Sequence, residues 1–176
     1  MRIHEASNTD LDDVLSVERS AFGQEDEAEL VQDLLKDPSA LPLLSLLARQ
    51  GQQAVGHILF TAARLQGATR EVSIAILAPL AVLPEAQGTG IGGALIERGS
   101  EILREAGVEL IFLVGHPSYY PRHGFEAASP HDLVAPYVIT PDEAWMVRAL
   151  RAGVVDHVRG TVACAAAMDK PEYWRE

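Results

Sequence analysis

The sequence is poor in cysteine and in positive charge, and each shortage excludes a class of protein. Only one of its 176 residues is cysteine, Cys164, so neither an intrachain disulfide nor a zinc site built from thiolates can form. Lys and Arg number 14 against 25 Asp and Glu, and this net charge of -11 argues against binding to nucleic acid or to an anionic membrane. No apolar run approaches the ~18 residues of a membrane helix, and no apolar signal core follows Met1. The sequence therefore predicts a soluble, cytoplasmic protein.

The remaining composition is typical of a packed globular domain. Hydrophobic residues make up 48% of the chain and charged residues 22%, so we expect residues 1–176 to form a single domain. The negative charge is uneven, because residues 1–40 contain 11 acids and three bases. Such a run is usually a solvated helix face, which is the interpretation we favour. The alternative is an acidic rim that attracts a cationic substrate.

Hydrophobic spacing predicts a mixed α/β fold. The predicted helices follow Thr9-Asp10 and cover residues 30–35 and 91–106, and the predicted strands cover residues 43–49, 54–63, 71–82, 110–114 and, less regularly, 125 onward and 162–167. A strand, a helix and a strand follow one another in the middle of the chain, so we expect a parallel strand pair inside a mixed sheet. In the last third, Pro141, Trp145 and Gly153 suggest turns.

Pro79 interrupts the third predicted strand. Proline lacks an N–H group and cannot complete the hydrogen bonding of a central strand. Because apolar residues lie on both sides of Pro79, we favour a bulge at which the sheet opens over a simple strand end.

The most informative segment is residues 80–93, LAVLPEAQGTGIGG, which joins a predicted strand to a predicted helix. Glycine lets the backbone turn tightly and approach a ligand closely. The first N–H groups of a helix lack internal acceptors and lie at the positive end of its dipole. Together these features predict a phosphate site, although the same glycines are also compatible with a turn that only lets the helix pack closely on the sheet.

Three kinds of phosphate loop compete for this segment. A Walker A loop is excluded, because no Gly-Lys-Ser or Gly-Lys-Thr follows the glycines. A dinucleotide fingerprint is formally present from Gly88 to Gly93, but the residues about 20 positions downstream lead into an apolar strand without a carboxylate for a ribose hydroxyl. The third kind is Gln-x-x-Gly-x-Gly, which fits Gln87 to Gly92.

The third pattern resembles the coenzyme A pyrophosphate loop of the GNAT superfamily of acyl-CoA-dependent N-acyltransferases. Two further segments agree with the resemblance: the strand end at residues 80–85 and the Tyr-x-x-x-Gly-Phe signature at residues 120–125. The resemblance covers at least residues 2–126, and residues 115–120 are similar to a bacterial subgroup of predicted N-acetyltransferases. It implies a central mixed β-sheet flanked by helices, with a splayed parallel strand pair.

The resemblance also implies a set of ligands and site residues. Acetyl-CoA is expected as co-substrate, a primary amine of a small molecule or peptide as acceptor, and a homodimer is possible. The residues implied to bind coenzyme A are Leu80, Ala81, Val82, Gln87, Gly88, Thr89, Gly90, Ile91, Gly92 and Gly93. A backbone N–H near Val82 is expected to polarise the thioester carbonyl, and Tyr120 is expected to protonate the departing thiolate. Independently of the resemblance, Arg122 or Arg98 is a candidate to hold a phosphate, and both are equally compatible with ordinary surface residues.

The general base is left open. The candidates are Glu18, Glu27, His57, Glu71 and His116. Each is individually more typical of a surface or structural residue, and ordered water can take the proton instead, so we assign none. The absence of a clear base keeps a second function possible, namely a catalytically silent acyl-CoA-binding module of the same fold.

The remaining chemical groups predict neither a metal site nor a cysteine nucleophile. The remaining histidines are spread along the chain without metal-ligand spacing. Cys164 lies in an apolar run, where we expect a buried, inert thiol.

Overall fold

The computed structural model describes residues 1–175, and its elements follow the hydrophobic periodicity of the chain. The helices are α1 (Leu11–Phe22), α2 (Asp26–Leu35) and α3 (Ile91–Glu105). The strands are β1 (Arg2–Glu5), β2 (Leu44–Gln50), β3 (Gln53–Gln66), β4 (Ile74–Val82), β5 (Leu110–Val114), β6 (Glu126–Ala127), β7 (Leu133–Val134), β8 (Trp145–Ala149) and β9 (Gly160–Ala163). The three predicted helices and the first four predicted strands are confirmed. Gly23, just after α1, has a φ of 66°, a left-handed conformation that ends the helix.

The strands form a mixed sheet with helices on both faces. Strand order is β1-β2-β3-β4-β5-β8-β6, and β9 pairs with the end of β3 and with β7. The β4–β5 pair is parallel, as the strand–helix–strand order predicts. On one face, α1 and α2 share a hydrophobic core with Ile76, Phe112 and Trp145. On the other face, α3 packs Leu95 and Ile96 against the sheet.

The sheet opens between β4 and β5. The parallel pairing covers only Ile74–Ile76 with Leu110–Phe112, whereas β4 stays paired with β3 as far as Val82. A register shift in the β3–β4 pair sets Leu59 opposite Ala78 and Pro79, which is a β-bulge. The expected bulge at Pro79 is therefore confirmed. Beyond Leu77, the edge of β4 that faces β5 has no strand partner among residues 1–175.

The expected turn at Trp145 is wrong. Trp145 begins β8, which pairs antiparallel with β5 along its whole length. The Trp145 side chain is 1% exposed and stacks on Phe112 with ring centroids 5.0 Å apart. The nearby proline and acids do form a turn, but it ends one residue before the strand begins. Tertiary pairing with β5 decides the conformation here, since local sequence favours a break.

Two strands expected in the last third of the chain are shorter than predicted. The strand expected from Phe125 is limited to β6, and the one expected over residues 162–167 ends at Ala163, before a 3-10 turn at Ala166–Met168. Strand β1 was not predicted, because its sequence RIHE lacks an apolar alternation. Within residues 1–175, none of the helices has the length and apolarity needed to cross a membrane.

Trp145 makes the packing of β8 testable. Replacing Trp145 with alanine removes a fully buried ring, and large-to-small changes of this kind cost about 3–5 kcal/mol of unfolding free energy. Val138 is 92% exposed, so Val138→Ala is the control and should change stability by less than about 0.5 kcal/mol. Urea unfolding of both variants measures this difference. A loss below about 1 kcal/mol for Trp145→Ala would show that β8 is not part of the central core.

Candidate functional site

The glycine-rich loop forms a tight connection between β4 and α3. After Val82 the chain makes a 3-10 turn at Pro84–Ala86, and Gly88 and Gly90 then adopt φ values of 77° and 90°. These positive φ values favour glycine. Two side chains brace the turn: Gln87 Nε2 donates to the Val82 carbonyl at 3.1 Å, and Thr89 Oγ1 donates to the Ala86 carbonyl at 2.6 Å.

The start of α3 presents free donors to the space beside this loop. The first helical hydrogen bond runs from the Ala94 N–H to the Gly90 carbonyl at 3.0 Å. The N–H groups of Ile91, Gly92 and Gly93 precede it and have no acceptor within the helix. With the helix dipole, they favour an anion at this end of α3.

Gly92 and Gly93 allow two aromatic side chains to lie against the helix. A Cβ atom on Gly92 would lie 2.7 Å from Tyr119 Oη, and one on Gly93 would lie 2.8 Å from His123 Cε1. Both distances are shorter than real Cβ contacts. The glycines therefore do more than form a turn, since they let Tyr119 and His123 pack directly on the helix beside the loop.

A cavity of about 580 Å³ lies beside the loop and the end of β4. The predicted coenzyme-binding residues that line it are Leu80, Val82, Gln87, Gly88, Gly90, Ile91, Gly92 and Gly93. Ala81 and Thr89 do not line it: the Ala81 side chain is buried in the core, and the Thr89 hydroxyl is bonded to the backbone. Tyr119, Arg122 and His123 also line this cavity, which the loop motif alone did not indicate.

A second cavity, of about 530 Å³, occupies the opening between β4 and β5. It is lined by Pro79, Leu80, His116 and Tyr120, with residues from the end of α1, the start of α2 and the C-terminal segment. Leu80 and His116 line both cavities, so the two meet at the open edge of β4. Tyr120 lines the second cavity and Tyr119 lines the first. Their rings pack edge to face, with centroids 4.9 Å apart.

Carboxylates and aromatic rings share the wall of the second cavity. The acids are Asp26, Glu27 and Glu172, and the rings include Phe22 and Tyr173. Of the acid-rich N-terminal segment, Asp26 and Glu27 thus face a cavity as well as solvent. The favoured interpretation of that segment as a purely solvated helix face is incomplete, because α2 begins at the cavity.

Of the two arginines considered for phosphate binding, only Arg122 lines a cavity beside the loop. Arg122 lines the first cavity, with its guanidinium 5.2 Å from the centre of the Tyr119 ring. Arg98 is exposed, pairs with Glu101 at 3.3 Å and lines neither cavity. Burial lowers the pKa of His123 and raises the pKa of the Tyr119 hydroxyl, so both favour their neutral forms.

The candidate bases fall into three groups. Glu27 and His116 line the second cavity, and Glu71 lies before β4, away from both cavities. Glu18 and His57 are fully buried and bonded to each other, with His57 Nδ1 2.6 Å from Glu18 Oε2. Among residues 1–175, no group of three or more His, Cys, Asp or Glu side chains could hold a metal ion.

Comparison with known proteins identifies the family to which this chain belongs. Residues 2–128 match a family model described as an acetyltransferase (GNAT) domain. The chain belongs to the GNAT acetyltransferase family. The uncharacterised N-acetyltransferase YjhQ of Escherichia coli K12 is 48% identical over 166 residues, which cover 92% of this chain and 91% of YjhQ. The uncharacterised N-acetyltransferase YhbS from the same strain is 32% identical over 82% of this chain and 84% of its own.

Two solved GNAT structures share the whole architecture. The crystal structure of E. coli YhbS in complex with CoA has a TM-score of 0.87 and 28% identity, covering 96% of this chain and 92% of its own. A GNAT acetyltransferase from Brucella melitensis in complex with acetyl-CoA has a TM-score of 0.76 and 32% identity, covering 96% of this chain and 97% of its own. The mixed sheet with a splayed parallel pair, expected from the resemblance, is therefore the fold of this GNAT chain.

Cys164 lies outside both cavities, and its protonation can be tested. It is half-buried, and burial raises the pKa of its thiol from 9.0 to about 11. The nucleophilic thiolate is therefore scarcer than in an ordinary thiol, and alkylation by iodoacetamide at pH 7 should be about a hundredfold slower than that of a thiol with a pKa of 9.0. The rate should keep rising with pH up to about 11. Alkylation as fast as that of a free cysteine peptide under the same conditions would contradict this environment.

Proposed function

We propose that this chain is an N-acetyltransferase that transfers the acetyl group of acetyl-CoA directly to a primary amine of a small molecule or peptide. The observation that carries the proposal is the meeting of two cavities at the open edge of β4. One cavity contains the glycine loop and the start of α3, and the other contains acidic and aromatic side chains. Such an arrangement can hold an anionic acyl carrier and a cationic acceptor on the two sides of one reacting carbonyl.

The first cavity fits coenzyme A. The free N–H groups at the start of α3 suit the diphosphate, and the unpaired edge of β4 from Leu80 to Val82 suits the amide groups of the pantetheine arm. A side chain at Gly92 or Gly93 would displace Tyr119 or His123, which line the same cavity. The CoA and acetyl-CoA complexes of the two GNAT neighbours support this assignment.

The overall negative charge does not oppose this binding. The chain carries -11, but the loop amides and Arg122 act at contact distance. Carboxylates farther than a Debye length of ~8 Å from the ligand are largely screened. Local donors therefore determine the affinity for an anionic carrier.

The transfer step requires three contributions from this chain. Acetyl-CoA supplies an activated thioester. A backbone N–H near Val82 donates to the carbonyl oxygen and stabilises the negative charge that develops when the amine attacks. Tyr120 then donates its hydroxyl proton to the departing sulfur as the C–S bond breaks. Tyr120 lies in the wall of the second cavity, beside the point where it meets the first.

The second cavity favours an amine acceptor. Three carboxylates, Asp26, Glu27 and Glu172, outnumber the one arginine of this cavity, Arg175, and so attract an ammonium group. The faces of Phe22 and Tyr173 can hold a cation by cation–π contact. These groups are the reason for choosing an amine over an anionic or apolar acceptor.

The loop assignment is tested by Gly90→Asp. This change adds a Cβ at a φ of 90° and a negative charge at the start of α3, so it should abolish acetyl-CoA binding in calorimetry. Gly67→Asp is the matched control, because Gly67 has a φ of 86°, has nothing within 4 Å of an added Cβ, as at Gly90, and lies in a distant turn. Gly67→Asp should bind acetyl-CoA like the wild type. If Gly90→Asp also binds with unchanged affinity, the loop does not hold the diphosphate.

The role of Tyr120 is tested by Tyr120→Phe. Loss of a general acid should lower kcat by about 10²-fold or more, while the Kd for acetyl-CoA stays within about twofold, with thiol release from acetyl-CoA as the measurement. Tyr119→Phe tests the neighbouring ring, and Tyr137→Phe is the control, since that hydroxyl is bonded to Asp169 at 2.8 Å outside both cavities. A large fall in kcat for Tyr119→Phe alone would move the acid role to Tyr119. If the wild type binds acetyl-CoA tightly but releases no thiol with any primary amine, the chain is a silent acyl-CoA-binding module.

A further inference from the structure

A third cavity, of about 510 Å³, lies apart from the two cavities of the candidate site. Its walls come from the end of β1, helices α1 and α2 and the start of β2, and it shares no lining residue with the other two. Val14 and Ser45 are its buried lining residues, and the remaining ones are half-buried or exposed. A serine therefore lies in the buried part of a cavity whose other walls reach the surface.

Ser45 belongs to a hydrogen-bonded chain of three buried side chains. Ser45 Oγ lies 2.9 Å from His57 Nε2, and His57 Nδ1 lies 2.6 Å from Glu18 Oε2. The three residues are 8%, 0% and 0% exposed in this order. With Nδ1–H donating to Glu18, Nε2 carries no proton and accepts from the Ser45 hydroxyl. A hydroxyl, an imidazole and a carboxylate bonded in this order are the arrangement that activates a serine nucleophile.

The sheet and α1 fix the positions of these groups. In the β2–β3 ladder, Ser45 is paired with Leu59 and His57 is paired with Leu47. Residues two positions apart on a strand share one face, so Ser45 and His57 are diagonal neighbours on the face that packs against α1. Glu18 lies one helical turn after Val14 on α1. The chain therefore runs from the wall of the third cavity into the core.

The inner end of the chain holds an oxygen without a partner. Glu18 Oε1 is the only buried side-chain nitrogen or oxygen in residues 1–175 for which no hydrogen bond is found. Buried polar atoms are nearly always paired, so a network with a purely structural role is expected to satisfy every oxygen. The Glu18 carboxylate instead makes a single hydrogen bond, and that bond orients the His57 ring.

We propose that Ser45 is the nucleophile of a second active site, which hydrolyses carboxylic esters with a short apolar acyl chain. His57 is the general base of this site. Glu18 is a positioning residue that holds the imidazole ring with Nε2 towards the Ser45 hydroxyl.

The lining of the third cavity suits an uncharged, apolar acyl chain. Its charged residues, Glu5 and Lys36, have opposite signs and give no net charge. Most of the remaining wall is aliphatic, and the aliphatic lining residues larger than alanine are Leu11, Val14, Leu35, Leu41 and Leu43. Apolar walls with a few polar groups are typical of small-molecule sites.

The reaction also needs a donor for the carbonyl oxygen, which becomes negative when Ser45 attacks. The side-chain amides of Asn8 and Gln32 line the same cavity and carry N–H groups. Amide donors of this kind can stabilise the developing charge. The third cavity therefore contains a nucleophile, a base and candidate oxyanion donors.

The atoms balance with water as the second reactant. Ser45 Oγ bonds to the carbonyl carbon as its proton passes to His57 Nε2, and the same proton then goes to the alcohol oxygen as the ester C–O bond breaks. Water next attacks the acyl-serine, giving one proton to His57, and His57 returns it to Ser45 Oγ as the acid leaves. One ester and one water yield one carboxylic acid and one alcohol.

The activity is tested with p-nitrophenyl butyrate at pH 8 without coenzyme A. The wild type should release p-nitrophenol, and Ser45→Ala should lower kcat/KM by at least about 100-fold, because it removes the nucleophile. Ser16→Ala is the matched control, since Ser16 is an exposed serine of α1 that lines none of the three cavities, and its kcat/KM should stay within about twofold of the wild type. Absence of hydrolysis by the wild type, or an unchanged rate in Ser45→Ala, overturns the proposal.

A fluorophosphonate probe identifies the nucleophile directly and needs no variant. An activated serine displaces fluoride from phosphorus and forms a stable phosphonate ester, whereas an ordinary serine hydroxyl is a weak nucleophile. Peptide mass spectrometry of the labelled wild type should place the phosphonate on Ser45, and p-nitrophenyl butyrate should slow the labelling. If Ser45 stays unlabelled, the buried chain is structural and the proposal is wrong.

The positioning role of Glu18 is tested by Glu18→Gln. Loss of the carboxylate should lower kcat for the ester by about 100-fold and slow the labelling of Ser45, while KM stays within about twofold. Glu29→Gln, at an exposed position of α2, is the matched control and should change neither quantity. A lower melting temperature with an unchanged kcat would show that Glu18 is only structural. Where Glu18→Gln does not fold, the labelling of the wild type decides.

The outcome is independent of the proposed acetyl transfer. Saturating coenzyme A should leave ester hydrolysis unchanged, because the third cavity shares no residue with the other two. Inhibition by coenzyme A would assign the hydrolysis to the first cavity and overturn the role of Ser45. Acetyl-CoA affinity and melting temperature of Ser45→Ala show that this variant is folded.

Discussion

The early end of the β4–β5 pairing is the constraint on which the rest of the structure depends. The two parallel strands share hydrogen bonds only as far as Ile76 and Phe112. The bulge at Pro79 then turns β4 so that it follows β3 and leaves β5. An unpaired strand edge inside a sheet is costly unless other groups satisfy its N–H and C=O groups. In the proposed function this gap holds an extended ligand, and the two cavities meet beside it at Leu80 and His116.

Helix α3 packs so closely on the sheet that its N-terminus lies beside the gap between β4 and β5. A Cβ on Gly99 would clash with the Phe60 ring, and one on Gly56 would lie 2.8 Å from Ile91 Cγ2. Small residues on both elements therefore bring the start of α3 close to the end of β4. The helix N-terminus and the open strand edge are adjacent because of this packing, and one elongated ligand can contact both. Glycine has a different task at each place: at Gly90 it permits the backbone conformation, and at Gly92 and Gly99 it permits close contact.

Polar groups are distributed unevenly around the gap. The first cavity has backbone donors, Arg122 and a histidine whose pKa is lowered by burial, whereas the second has three carboxylates and one arginine, Arg175. This opposition suits an anionic donor and a cationic acceptor, although the whole chain is strongly acidic. Glu18 of α1 is buried with one oxygen unpaired, an arrangement that is energetically costly in the core that residues 1–175 form.

Much of the fold and of the loop could be predicted, because their signals are local. Helical spacing marks α1 to α3, and the glycines and the break at Pro79 mark the loop and the opening of the sheet. Trp145 could not be placed, because its strand forms by pairing with β5 and β6, and its own partner in β5 lies more than 30 positions earlier. Glu18 and His57 were separate candidates in the sequence, 39 positions apart, and nothing local indicates that they meet.

The amino-acid sequence by itself determined the turn of the glycine loop, the free backbone donors at the start of α3 and the place where the sheet opens, since these depend on glycine, proline and periodicity within a few residues. Only the tertiary structure decided which tyrosine faces which cavity, which acids line the second cavity and which buried carboxylate lacks a partner. Side-chain contacts between distant segments depend on how helices and strands pack, and packing is a property of the whole fold.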